Sequence, residues 1–571
     1  MKNPTRSIVI ALAGLSLVAV AGIGCREKVE GTPASLVIRN AKIFTVDKDN
    51  PRAGAVAVSG EKIIAVTSNE AIEPYIGKRT TTVIDAKGRL VIPGFNDAHI
   101  HFSGIPMDYL DLHGVTDLGL IQQKVKDQAA RVKPGEWIVG GGWEQDRFPD
   151  KQWPTKQVLD QVAPDNPVRL SRIDGHSIWV NSYVLKMSGI TKDTPDPPGG
   201  TIVKDPKTGE PTGILKESAG ELVKKATAAI SPGEEEGTPT DEDLERALQE
   251  ARRLGITSIQ HLEGNQDQFK RLLEAGKLTL RVTFDMHLEG SGEHLTKMDA
   301  LRKQFPPGNN WLRFGYLKAF IDGTVGSATA LYFKPYEDNP QTRGLPQMTY
   351  ADLEQKVVSA DKMGFQIGIH ATGDQANQWI LNAYEKARQV NGKRDSRHRS
   401  EHATSVAPDD FPRFAALDVI ASVQPSHLIV VKQFAEKRLG LERCRNVYAF
   451  ATFLRAGVRL AFGSDWNVVS MNPMEGLFAA VTREDFQGEP KGGWFPEQKI
   501  SMEKAIELYT LGSAYAEFTE DRKGMLKVGY LADIVILGDD LLTIPPDRIP
   551  KTRVDYTIVG GRIVFKRQGE D

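Results

Sequence analysis

The stretch Val91-Ile92-Pro93-Gly94-Phe95-Asn96-Asp97-Ala98-His99-Ile100-His101 decides the reading of this chain. It begins as an apolar strand and ends in two histidines one residue apart. Alternate side chains of a strand point to one face, so His99 and His101 can converge on a single ion. A His-x-His pair alone is weak, because two core histidines share that spacing. Its weight depends on the strands elsewhere in the chain. Read as a strand over 90–101, the stretch is the first of eight, the others being 256–262, 280–287, 312–320, 365–371, 400–403, 419–424 and 458–465. Amphipathic stretches such as 241–254 and 350–363 lie between some of them. Eight β-α alternations imply a parallel (β/α)8 barrel of the TIM type, an α/β fold whose C-terminal strand ends collect functional groups.

One gap is anomalous. More than a hundred residues separate His101 from Ile256, where ~30 would be typical of one β-α unit. An insertion subdomain of about 104–236 resolves this, and its Trp137, Trp143, Trp153 and Trp179 suit either an apolar wall near the pocket or a subdomain core. Outside the barrel, residues 35–92 and 516–571 are short apolar runs broken by turn residues. Two β-rich ends around a mixed centre (93–515) predict a small β-sandwich domain built from both termini. The charge balance, 72 Lys+Arg against 74 Asp+Glu, argues against a nucleic-acid coat. Two cysteines, Cys25 and Cys444, exclude a disulfide framework.

The remaining chemistry-bearing residues repeat the strand-end placement of His99 and His101. Lys318 falls near the end of strand four, His370 of strand five, His402 of strand six and Asp465 of strand eight. His370 to His402 spans about one β-α unit, and His402 to Asp465 about two. Six ligand-capable groups at one barrel mouth are hard to explain as satisfied core polar residues. His176, in the insertion, either reaches substrate or holds a structural hydrogen bond. Asp374 either orients a ligand or caps the next helix, and Gln424 is placed to face the pocket from strand seven. The other histidines (His113, His261, His287, His294, His398, His427) are expected in core or surface positions.

This set resembles the amidohydrolase superfamily of metal-dependent hydrolases, and more closely its family 3 branch, which includes N-substituted formamide deformylases and exoenzyme-regulatory-protein-like members. The matching stretches are 93–101, Asp174-Gly175-His176-Ser177-Ile178-Trp179-Val180-Asn181, Lys318-Ala319-Phe320-Ile321-Asp322-Gly323-Thr324, Ile369-His370-Ala371-Thr372-Gly373-Asp374, Ser400-Glu401-His402-Ala403 and Phe462-Gly463-Ser464-Asp465. The resemblance implies one or two divalent ions, zinc first among them. His99, His101 and Asp465 would hold one ion, with His370 and His402 on the second. Lys318 would bridge them only if carbamylated, because an ammonium has no lone pair to donate; otherwise it is a cation beside Asp322 or Asp465 in a one-metal site. Asp465 would also take a proton from the attacking water and deliver it to the leaving amine. His176, Asp322 and Gln424 are the expected substrate contacts.

The expected activity is hydrolysis of a linear C–N bond in an N-acyl or N-formyl amide. The alternatives are a cyclic-amide or other C–N hydrolase on the same site, and a non-catalytic binding or regulatory protein. The partner is then a small-molecule amide and not a nucleic acid; the residues leave the oligomeric state open. At the other end of the chain, Lys2 and Arg6 precede an apolar run over 8–23 that closes on Gly24-Cys25. This pattern is a secretory signal and resembles a bacterial lipoprotein signal, with Cys25 lipidated as the only membrane attachment and 26–34 as a tether. Plain secretion and an uncleaved anchor are the alternatives.

Overall fold

The computed structural model describes residues 33–104, 109–112, 114–173, 175–223, 239–262 and 264–569. Cys25, the apolar run before it, most of the tether, His113, Asp174 and residues 105–108 and 224–236 at the two edges of the insertion lie outside them. No described helix is long and apolar enough to cross a membrane.

Eight parallel strands form the barrel: Phe95–Ile100, Ile256–His261, Arg281–His287, Leu312–Phe320, Ile367–Ala371, Arg399–His402, Ile420–Val423 and Leu460–Phe462, paired in that order. The (β/α)8 expectation is met. Backbone hydrogen bonds bring the first and last strands together, Asp465 N–H to His99 O at 2.7 Å and His101 N–H to Trp466 O at 2.5 Å.

The helix Asp241–Arg253 illustrates why the intervening segments coil. Thr240 and Asp243 form a reciprocal capping box, three acidic residues fill the first turn and Arg252 and Arg253 the last. Each feature complements the orphan amides or the dipole at that end. Leu244, Ala247, Leu248 and Ala251 are buried at helical spacing. Burial of each leucine contributes roughly 1.5–3 kcal/mol.

The two chain ends meet in one β-domain. Ile534–Leu537 runs antiparallel to Leu90–Pro93, which joins N-terminal strands to C-terminal ones in a six-stranded sheet. A four-stranded sheet, led by Leu36–Arg39, faces it across a shared core that includes Ile38, Val56, Val91, Ile534 and Ile558. Ala34, expected in the tether, is already buried here. Arg281 grips Asp533 at 2.7 and 2.9 Å and so ties barrel to β-domain.

One expectation needs correction, and one open alternative is decided. The stretch 90–101 is not one strand. Leu90–Pro93 belongs to the β-domain and Phe95–Ile100 to the barrel, with the change of partner at Gly94. The Gly94 N–H still donates to Asp533 O, while that of Phe95 donates to Gly255 O. The insertion tryptophans do not line the pocket. The insertion is built on a six-stranded sheet, and Trp143 packs edge-on to Trp153 and Trp179, each at 5.8 Å, in the subdomain's own core. Their size explains this, since a small subdomain needs large side chains to bury enough area.

Gly94 has no room for a side chain, because a Cβ there would stand 2.2 Å from Thr257 Oγ1 and 2.3 Å from its Cγ2. Gly94→Val is therefore expected to destabilise the protein by about 1–3 kcal/mol or more, read as a lowered urea midpoint. An unchanged midpoint would contradict the close approach.

Candidate metal centre

His99 is fully buried, and its Nδ1 lies 2.5 Å from Glu401 Oε2. Glu401 is also held by Arg399, whose Nε lies 2.7 Å from Oε1. Burial alone would raise the Glu401 carboxyl, but Arg399 and His99 outweigh it and hold it below the usual carboxylate range. An ionised Glu401 accepts from Nδ1 and leaves the His99 Nε2 lone pair turned the other way. That Nε2 stands 3.3 Å from Asp465 Oδ1, and His101 Nε2 stands 3.2 Å from the same oxygen. Burial pushes Asp465 up, yet the imidazoles of His99, His101 and His402 overcome this and hold it well below its ordinary value.

The second half of the cluster follows the same logic. The His402 ring lies 4.7 Å from that of His99 and 4.4 Å from that of His370. Its Nδ1 is engaged by Gln424 Oε1 at 2.8 Å, which again directs Nε2 away from the support. Burial lowers both His370 and His402 well below the ordinary imidazole value, and the crowding of His176 and Lys318 around His370, and of His370 and His99 around His402, acts in the same direction. Both are therefore neutral, as ligands must be. Lys318 is buried among them, and its Nζ has no hydrogen-bond partner. Burial lowers its pKa, opposed by Glu401, Asp285 and Asp465.

His99, His402 and Asp465 offer ligand atoms all within 4.8 Å of one another. Imidazole nitrogens and a carboxylate oxygen suit a zinc-class ion. The buried amine of Lys318 fits the same reading, because without a hydrogen-bond partner its burial favours the neutral form. The backbone is strained at this point. His402, Ala403 and Asp465 have φ of 74°, 41° and 60°, a left-handed region that costs such residues about 1–3 kcal/mol each.

The other expected residues divide. His176 comes over the barrel mouth from the insertion, its ring 4.9 Å from that of His370, and its Nδ1 lies 2.8 Å from Glu217 Oε2. Asp322 and Gln424 are not among the residues that line the pocket. Asp322 is fully buried and accepts backbone N–H groups of Leu331, Thr372 and Gly373. Burial pushes its carboxyl up to about 7. It shapes the loops around His370, whereas Gln424 orients His402. Asp374 accepts from Phe333 N–H at 2.9 Å and opens the helix Asp374–Asn391. His261 accepts from Phe102 N–H and is structural.

Three participants escaped the sequence reading. Glu401 stands one residue before His402, and the alternation of Arg399 with Glu401 inside a buried run was its signal, since buried charges need partners. Glu217 lies in the insertion far along the chain and had no local signal. His427, expected in a core or surface position, has Nε2 3.5 Å from Asp465 Oδ2. Around these groups the pocket wall is apolar, with Ile173, Val325, Val430, Phe434, Val468 and Val469. Ile173, Val430 and Val469 are shared with an adjoining cavity of about 440 Å³.

Comparison with known proteins agrees with this geometry. Residues 82–565 match the Amidohydrolase family. The chain is 36% identical over 524 residues to Protein LONG AFTER FAR-RED 3 of Arabidopsis thaliana, covering 89% of this chain and 88% of that protein. It is 27% identical over 549 residues to the N-substituted formamide deformylase of Arthrobacter pascens, covering 94% and 99%. The solved structure of an uncharacterized metal-dependent hydrolase from Pyrococcus horikoshii OT3 superposes with a TM-score of 0.69 at 28% identity, covering 90% of this chain and 99% of that one.

Glu401→Gln keeps the shape of the His99 support but removes its charge. It is expected to weaken zinc binding about 10- to 100-fold, measured by competition with a chromogenic chelator. Wild-type affinity would show that Glu401 serves packing alone.

Proposed function

The chain belongs to the amidohydrolase family, and from that membership we propose a metal-dependent hydrolase that cleaves the linear C–N bond of an N-acyl or N-formyl amide. The observation that carries the reading is the convergence of buried His99 and part-buried His101 on one oxygen of Asp465, with the buried Lys318 amine also in the cluster. The similarity to an N-substituted formamide deformylase supports the linear amide over a cyclic one. The ligand-capable set supports an enzyme over a silent binding protein.

His99, His101 and Asp465 would hold one divalent ion, and His370 and His402 a second. A bound zinc-class ion supplies a water of pKa about 7 and a Lewis acid for the amide carbonyl. Lys318, as a carbamate formed from its neutral amine and carbon dioxide with loss of a proton, would offer oxygens to both positions. Asp465 accepts the proton of the attacking water on its carboxylate and returns it to the leaving nitrogen, so the amine departs neutral. Glu401 and Gln424 hold His99 and His402 in the tautomers that face inward. The apolar wall excludes bulk water and receives the substrate's hydrocarbon part.

We also propose that the protein is exported and held at the membrane through a lipid on Cys25, on the strength of the charged start, apolar run and small residues before that cysteine. Cys25→Ala should move the protein from the membrane to the soluble fraction; an unchanged distribution would refute lipid attachment.

The function is tested by metal analysis and a panel of N-acyl amino acids, formamides and cyclic amides. Expected is at least one equivalent of a transition metal and turnover of a linear amide. Less than half an equivalent, with no activity restored by Zn, Mn or Co, would refute the hydrolase, and turnover of cyclic amides alone would refute the linear reading. Asp465→Asn should lower kcat by about 10²- to 10⁴-fold with the fold retained by circular dichroism. Near-normal turnover would remove Asp465 from its role.

A further inference from the structure

Tyr448 stands in the wall of the metal-centre pocket with His370, His402, His427 and Asp465, and its hydroxyl is set differently from those of Tyr336, Tyr384 and Tyr509. The buried Tyr316 hydroxyl also has no hydrogen-bond partner among the described residues, but Tyr316 is not part of that wall. Tyr336, Tyr384 and Tyr509 each donate their O–H to a backbone carbonyl and are satisfied within the fold. At Tyr448 the phenol oxygen accepts from Thr404 Oγ1 at 3.4 Å, and among the described residues its own O–H has no acceptor. A buried donor left in this state is costly unless something else meets it.

The backbone is arranged to hold it there. Tyr448 has φ of 47°, a conformation rare for a bulky side chain and characteristic of functional positions. Its N–H donates to Thr404 O at 2.8 Å. Its carbonyl accepts from Arg483 Nη1 at 2.7 Å, and Arg483 Nη2 and Nε bind the carbonyls of Val447 and Trp494. Arg483 is fully buried and, among the described residues, has no carboxylate at ion-pair distance. A guanidinium buried to hold three main-chain carbonyls is an expensive clamp, and it fixes a strained residue that lines the pocket. Burial raises the phenol's pKa, so its proton is present throughout the neutral range.

We propose that Tyr448 is a catalytic residue: its O–H donates a hydrogen bond to the carbonyl oxygen of the bound amide, and this bond strengthens as that oxygen gains negative charge. The proton stays on the phenol throughout. This assignment rests on the amide-hydrolysis reading of the same site. A donor held in place before the reaction gives more in the transition state than in the ground state, because no reorganisation is needed as charge develops.

Tyr448→Phe keeps the ring and removes the hydroxyl. With the metal-loaded full chain, kcat should fall about 100- to 1000-fold while KM, metal content and thermal midpoint remain near wild type. A kcat within about threefold of wild type overturns the assignment. Methylphosphonate, a tetrahedral anion with no amide to cleave, provides a measurement independent of turnover. Its Kd, by calorimetry, should rise at least about tenfold in the variant, and equal binding by both proteins overturns the hydrogen bond. If the wild type cleaves no amide, the hydrolase reading falls, and the methylphosphonate comparison still decides for or against the donor. Thr404→Val is the second variant should Tyr448→Phe unfold. Losing the hydroxyl that sets the phenol should lower kcat about tenfold with KM unchanged, and wild-type kcat there overturns the proposal.

Discussion

The carboxylate of Asp97 joins the two ends of the barrel. It accepts the backbone N–H of His99 at 3.1 Å and that of Ser464 at 2.9 Å, so one side chain on the first strand binds the segment just past the last. Burial pushes Asp97 up to about 6, which leaves it largely ionised at neutral pH and able to accept both bonds. Gly463 completes the junction, since a Cβ there would lie 2.6 Å from His99 N. The ligand-capable residues His99 and Asp465 flank this closure. His99 and Asp465 are neighbours because the sheet curls round to bring them together, and their separation inherits the stiffness of a closed barrel rather than the freedom of a loop.

Around that closure, two of the imidazoles, His99 and His402, have a buried support. Glu401 stands behind His99 and is itself neutralised by Arg399; Gln424 stands behind His402. The charged pair Arg399–Glu401 would be expensive inside the barrel without this mutual satisfaction. The left-handed residues at the ends of strands six and eight add further cost. Such costs persist where the surrounding fold over-determines the local geometry, and here eight paired strands and the clamp of Arg483 on the neighbouring loop supply the constraint. The insertion contributes His176 and Glu217 from above, so the pocket is formed by barrel and subdomain together.

Much of the fold was legible in the residues because periodicity and turn chemistry act locally. The helices begin at 241 and 350, where the amphipathic stretches start, and the eight barrel strands fall where apolar runs end in polar strand-end residues. The exchange of partners at Gly94 was not legible, because a strand that leaves one sheet and enters another keeps the same apolar pattern. The supports were hidden for a similar reason. Glu401, Gln424 and Asp322 act through partners tens or hundreds of residues away, and a single residue carries no mark of which buried group it faces. His427 had no motif around it, and only the packing of its helix against the barrel mouth brings it to Asp465.

Taken alone, the sequence determined the α/β class, the alternation that builds a barrel, the meeting of two β-rich ends and the identity of the ligand-capable residues, since these come from local pattern and from the chemistry of side chains. Tertiary structure decided which of those side chains share a site, which way each imidazole turns, which expected substrate contacts are supports instead, and that the insertion's tryptophans fill a core rather than a pocket. Those outcomes depend on distances between strands far apart in the chain, and only closure of the barrel sets them.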